Sequence, residues 1–105
     1  MTSAARLTRM LKVLSVGTRV QMIQLLKHGP LCVGALAAQL DVTQGAVSQH
    51  LRVLREVGIV VANRRGLFVH YGLNEKALGN WKAAINHLLE PGRPQQSCGC
   101  KRRKP

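Results

Sequence analysis

Acidic residues are scarce in this chain of 105: Asp41, Glu56, Glu75 and Glu90 stand against sixteen Lys and Arg. The formal net charge of +12 spreads a positive field over the surface and makes nucleic acid the natural partner, ahead of an anionic membrane. With one Asp, no paired carboxylates and no glycine-rich phosphate loop, the chain lacks the parts of an acid–base or phosphoryl-transfer site. Its four histidines include His50, which has no acid beside it in the sequence. We read it as a protein that is not an enzyme. Aromatics are only 3% of residues, so the core must be built from Leu, Val, Ile, Ala and Met, which favours packed helices. No apolar run approaches the ~20 residues of a membrane span, and the N-terminus lacks the apolar segment of a signal peptide. A cytoplasmic protein with no membrane partner is expected. Three cysteines cannot all pair within one chain, and a reducing compartment leaves them as thiols open to soft metals or oxidants.

The length has room for one compact domain and a short tail. Leu7, Met10, Leu11 and Leu14 recur at helical spacing and predict a first helix that Gly17 ends. Thr18 is then the expected N-cap of a second helix, with Val20, Met22, Ile23, Leu25 and Leu26 at buried positions, stopped by His28-Gly29-Pro30. Leu36, Ala37 and Leu40 make a short third helix. Asp41 and Val42 form a turn, Thr43 caps a fourth helix, and Val47, Leu51 and Leu54 run along its buried side to a close at Gly58. Two short helices across a tight turn make a helix-turn-helix. Ile59-Val60-Val61 and Leu67 to Tyr71 read as strands joined by Asn63-Arg64-Arg65-Gly66, a hairpin with a basic tip. Leu78, Trp81, Ala84, Ile85, Leu88 and Leu89 stripe a last helix that Pro91-Gly92 terminates. The expected fold is mainly α with a β-hairpin wing: about five helices and a two-stranded wing in a winged helix-turn-helix. The domain covers residues 1–90, and residues 91–105 form a flexible basic tail carrying Cys98-Gly99-Cys100.

Opposite its apolar side, the fourth helix carries Gln44, Ser48, Arg52 and Arg55 at i, i+4, i+8 and i+11. Such a face is often only solvated surface. After a helix and a tight turn, however, it is the face that enters a major groove of double-stranded DNA. Gly45 and Ala46 allow close approach of the backbone. Thr43, Gln44, Ser48 and Gln49 are the candidates for base or phosphate contacts, since Gln pairs bidentately with adenine and hydroxyls serve either role. Arg52 and Arg55 suit phosphates, and Arg64 and Arg65 on the wing suit the minor groove or its flanking phosphates.

The stretches Leu11-Lys12-Val13-Leu14-Ser15 with Thr18-Arg19, Leu31-Cys32-Val33, Val47-Ser48-Gln49-His50-Leu51 with Leu54-Arg55, and Val69-His70-Tyr71 resemble the ArsR/SmtB family of bacterial metal- and metalloid-responsive repressors. The resemblance spans nearly all of residues 7–89. It implies a homodimer formed through the first and last helices, a palindromic operator, and an inducer that weakens DNA binding. Two departures matter. Members often carry two cysteines in a Leu-Cys-Val-Cys motif, whereas this chain keeps Cys32 and has Gly34 at the second place, so a two-cysteine chelate inside that helix is excluded. The Asp and His pairs that zinc sensors place on the last helix are reduced here to His87, flanked by Asn80 and Asn86. Asp41 stands where a Gly often follows the third helix, and Asp tolerates the left-handed conformation better than most residues.

The thiols then carry the expected sensing chemistry. Cys32 reads either as a small core residue or as a thiolate favoured at the start of the third helix. Cys98 and Cys100 are either incidental tail residues or a pair able to chelate one soft ion, with Lys101, Arg102 and Arg103 lowering their pKa values. The nine residues from Leu89 to Cys98 span at most ~30 Å, enough to bring the pair to Cys32 in the same or the partner subunit. A three-sulfur site at Cys32, Cys98 and Cys100 suits trivalent arsenic or antimony. Arsenite or antimonite is thus the expected inducer, with another soft thiophilic ion as the alternative and no cofactor required. Two other readings stay open: a thiol redox or reactive-sulfur sensor in which Cys32 joins a tail cysteine reversibly, and a non-regulatory nucleoid-type protein driven by charge alone.

Overall fold

A computed structural model of the chain describes residues 3–94. Helices α1 (Ser3–Leu14), α2 (Gly17–Leu26), α3 (Val33–Leu40) and α4 (Gln44–Glu56) lead into strands β1 (Val60–Arg65) and β2 (Phe68–Leu73), and α5 (Glu75–Leu89) follows. This is the expected set of five helices and a hairpin. No described helix is long and apolar enough to cross a membrane.

The core gathers one to three residues from each helix and adds two near the start of β1: Val13 of α1, Met22 and Leu26 of α2, Leu36 and Ala37 of α3, Val47, Leu51 and Leu54 of α4, Ile59 and Val60, and Trp81 of α5. Six of these, Met22, Leu36, Val47, Leu51, Leu54 and Ile59, are essentially sealed from solvent. Each contributes about 1.5–3 kcal/mol relative to an exposed side chain. The α3–α4 pair lies at the centre of this cluster, so the polar side of α4 is held against a rigid support. Asn74 closes the base of the domain. Its Nδ2 donates to the Gly58 carbonyl at 3.1 Å, and its Oδ1 accepts from the Ala77 amide at 3.2 Å, capping α5.

Three sequence expectations need correction. Gly17 opens α2 rather than ending α1, and Thr18 is not its cap. The Ser15 hydroxyl donates back to the Lys12 carbonyl at 2.7 Å, the chain turns at Val16 without a side-chain cap, and Thr18 falls inside the first turn of α2. Val20 is 39% exposed, and Leu11 at 41% leaves Val13 as the buried residue of α1. The hairpin loop is shorter and later than Asn63 to Gly66. Arg65 pairs with Phe68, so Asn63, Arg64 and Arg65 belong to β1 and only Gly66-Leu67 connects the strands. Gly66 has φ 62° while Leu67 stays at negative φ, which suits a two-residue turn with glycine in its first central position.

Candidate nucleic-acid interface

Chain geometry at the α3–α4 turn follows from two residues. Asp41 leaves α3 in the left-handed conformation, φ 56° and ψ 48°, with its amide donating to the Ala37 carbonyl. Thr43 is extended, and its Oγ1 accepts from the Ala46 amide at 3.1 Å, satisfying one of the free donors at the start of α4. The expectations for both positions hold. With Val47, Leu51 and Leu54 pinned inward, Thr43, Gln44, Gly45, Ser48, Gln49, Arg52 and Arg55 are all exposed along the outer side of α4. A Cβ built on Gly34 would lie 3.8 Å from Gln44 Nε2, so the first residue of α4 rests over α3.

Arg64 and Arg65 are exposed at the end of β1. Between them and α4 runs an open groove of about 610 Å³ lined by Arg52, Arg55, Glu56, Gly58, Val60, Val61, Ala62 and Asn74. It joins the outer side of α4 to the hairpin in one basic surface. Arg52 Nε lies 3.9 Å from Glu56 Oε2, with both side chains largely in solvent. A pair of that kind is worth little and yields readily to a phosphate.

His50 has a partner that no local pattern reveals, because its contact lies 31 residues away. Arg19 Nε donates to His50 Nδ1 at 3.3 Å, and Arg19 Nη1 donates to the Val13 carbonyl at 3.2 Å. One guanidinium on α2 therefore links α1 to α4. Burial pushes the His50 pKa below its ordinary value, and the Arg19 charge pushes it the same way. The imidazole is accordingly a neutral acceptor that positions α4. Also unforeseen are Leu67 and Phe68, which the short loop leaves exposed at the hairpin apex. The signal was present in Gly66-Leu67, a glycine-first turn dipeptide.

Cys32 is half-buried in the N-cap position of α3, with Val33 the first helical residue as expected. Cys98 and Cys100 lie outside the described residues, as does most of the tail assigned to residues 91–105. Among the described residues, no group of three or more His, Cys, Asp and Glu side chains could hold a metal ion. His87 is exposed and lies 3.6 Å from Glu90 on its own helix.

Residues 17–61 match the profile of bacterial regulatory proteins of the arsR family. The chain is 31% identical over 78 residues to the transcriptional repressor SdpR of Bacillus subtilis, covering 74% of this chain and 83% of the relative. It is 37% identical over 78 residues to the arsenical resistance operon repressor of Escherichia coli, covering 73% of this chain and 66% of that one. A crystal structure described as a possible transcriptional regulator for arsenical resistance superposes with a TM-score of 0.71 at 36% identity, over 77% of this chain and 84% of the other. These relatives are regulators of transcription, not enzymes. With its helix-turn-helix, basic hairpin and five-helix frame, the chain belongs to the ArsR/SmtB family of transcriptional repressors.

Proposed function

We propose that the protein is a homodimeric repressor that occupies a palindromic operator and is released by trivalent arsenic or antimony. The observation that carries the DNA reading is the continuous basic surface from the outer side of α4 across the groove to β1. Thr43, Gln44, Ser48 and Gln49 stand at or near the N-terminal end of α4, the end that meets base edges when such a helix lies in a major groove. Arg52 and Arg55 follow toward its C-terminal end and hold phosphates, while Arg64 and Arg65 take the phosphates of the adjacent minor groove.

The inducer reading rests on Cys32 and on the likeness to two proteins described as regulators of arsenical resistance. Cys32 opens α3, which packs directly on α4, so a soft ion that draws Cys32 toward Cys98 and Cys100 strains the support of the DNA-facing helix. A coupling of ~1–3 kcal/mol weakens operator binding by about 5- to 150-fold.

Gel-shift titration of the full chain on its selected binding site, with arsenite in one arm and peroxide in the other, tests both readings. Arg52→Ala is expected to lower affinity for all duplexes and flatten the salt slope by roughly one unit. Cys32→Ser, Cys98→Ser and Cys100→Ser are each expected to keep DNA affinity and blunt release by arsenite. A deletion of residues 91–105 that leaves the arsenite response unchanged removes the three-sulfur site. Release by peroxide alone assigns the cysteines to redox sensing.

A further inference from the structure

Exposed large apolar side chains among the described residues include Leu11, Leu88 and Leu89 on α1 and α5, the helices assigned above to the dimer. Leu67 and Phe68 belong to neither helix. They stand together at the apex of a two-stranded ribbon, 92% and 63% exposed. A single surface Leu needs no explanation, but two adjacent large apolar residues at the most protruding point of a hairpin incur a hydration cost with no return inside the subunit. Their surroundings narrow the partner. Phe68 is the cross-strand neighbour of Arg65, so both rise from one face of the ribbon, while Arg64 pairs with Val69 on the other. The apex is thus apolar with a guanidinium on each side. A second copy of this chain would bring its own arginines and +12 charge against them. The complementary partner is anionic, has a groove that the tip of the ribbon can enter, and is apolar within.

We propose that the apex is a wedge for the DNA minor groove: Leu67 and Phe68 part a base step beside the half-site read by α4 and bend the duplex, while Arg64 and Arg65 neutralise the phosphates on either side. The groove lined by Arg52, Arg55, Val60, Val61 and Ala62 makes the apex continuous with the DNA-facing side of α4. A ribbon tip next to a helix in the major groove meets the neighbouring minor groove, whose floor is the stacked bases. Apolar side chains inserted there unstack a step and kink the duplex, and pyrimidine–purine steps yield most easily. The wedge therefore selects TA or CA steps at positions where the protein makes no base-edge hydrogen bond. This inference rests on the operator-binding reading above.

The full chain first selects its site from a random-sequence duplex library. That duplex is then labelled at its ends for energy transfer and carries 2-aminopurine at successive flanking positions. The wild type is expected to bend the duplex and to raise 2-aminopurine fluorescence at one step per half-site. The double variant Leu67→Ser with Phe68→Ser loses both signals and about tenfold in affinity, while Phe68→Leu retains them. Because both residues are solvent-exposed, helix content by circular dichroism is unchanged in each variant. Tight binding with no fluorescence rise at any step, and a double variant within twofold of wild type, overturns the wedge and leaves the operator reading standing. A double variant that keeps its DNA affinity but loses binding to phosphatidylglycerol vesicles assigns the apex to a membrane surface and overturns it too. Failure of the wild type to select any site overturns the operator reading itself.

Discussion

His50 accepts a hydrogen bond from Arg19 only while its Nδ1 is unprotonated, and the guanidinium cannot give up its charge. Protonation would turn the acceptor into a donor facing a cation. Since burial and Arg19 both lower its pKa, the unfolded chain takes up the proton more readily than the folded one. The stability contributed by neutral His50 is therefore complete above about pH 6.5 and is lost as pH falls from there through the lowered folded-state value. Urea unfolding between pH 7.5 and 5 is expected to show this loss in the wild type. In His50→Asn, whose amide oxygen can accept from Arg19 without titrating, that component is expected to be missing. Identical pH profiles would remove His50 as the titrating group. Nothing in the sequence marks this pair, because residues on two helices converge through packing. Asp41 is the opposite case, since its left-handed conformation follows from its own chemistry and was readable in advance.

At the level of elements, α4 depends on its cap. Thr43→Ala leaves the Ala46 amide without its acceptor and is expected to cost about 1 kcal/mol, seen as a lower urea midpoint with unchanged slope. Thr43→Ser is expected to restore most of it. Such local rules explain which elements the sequence disclosed. The spacing of Val47, Leu51 and Leu54, a capping Thr and a turn residue all point to the same helix, and α3 and α5 are similarly self-declaring. The start of α2 departs from the sequence expectation because Ser15, not a glycine, closes α1 by bonding back to Lys12. The hairpin loop falls later than expected because Asn63-Arg64-Arg65-Gly66 looks like a polar turn, whereas cross-strand pairing decides where the turn falls. The candidate contacts on α4 were legible for the same reason as the helix itself. The apolar apex was not, since it depends on a register that periodicity alone does not specify.

For the whole molecule, α1 and α5 meet over a cleft of about 660 Å³, with Leu7, Met10, Trp81, Ala84 and Leu88 on its walls and Arg6 and His87 also lining it. Leu88 and Leu89 beside it are 50% and 73% exposed, an adjacent apolar pair on one of the two helices assigned to the proposed dimer. Leu88→Glu is expected to give monomers in analytical ultracentrifugation and to abolish tight operator binding, since one half-site then carries the whole affinity. A monomeric variant that retains wild-type affinity would contradict the proposed dimer. One link connects the start of α3 to the hairpin. Leu31 donates to the Tyr71 carbonyl at 3.0 Å and Tyr71 donates to the Leu31 carbonyl at 2.8 Å, so the residue before Cys32 is stitched to the far edge of β2. Taken as a rigid body, this is a lever with unequal arms. From the stitch to Cys32 is one residue, ~3.8 Å, and from the stitch to the Leu67 apex is four, ~13 Å, so a tilt that moves Cys32 by ~1 Å swings the apex by roughly 3 Å.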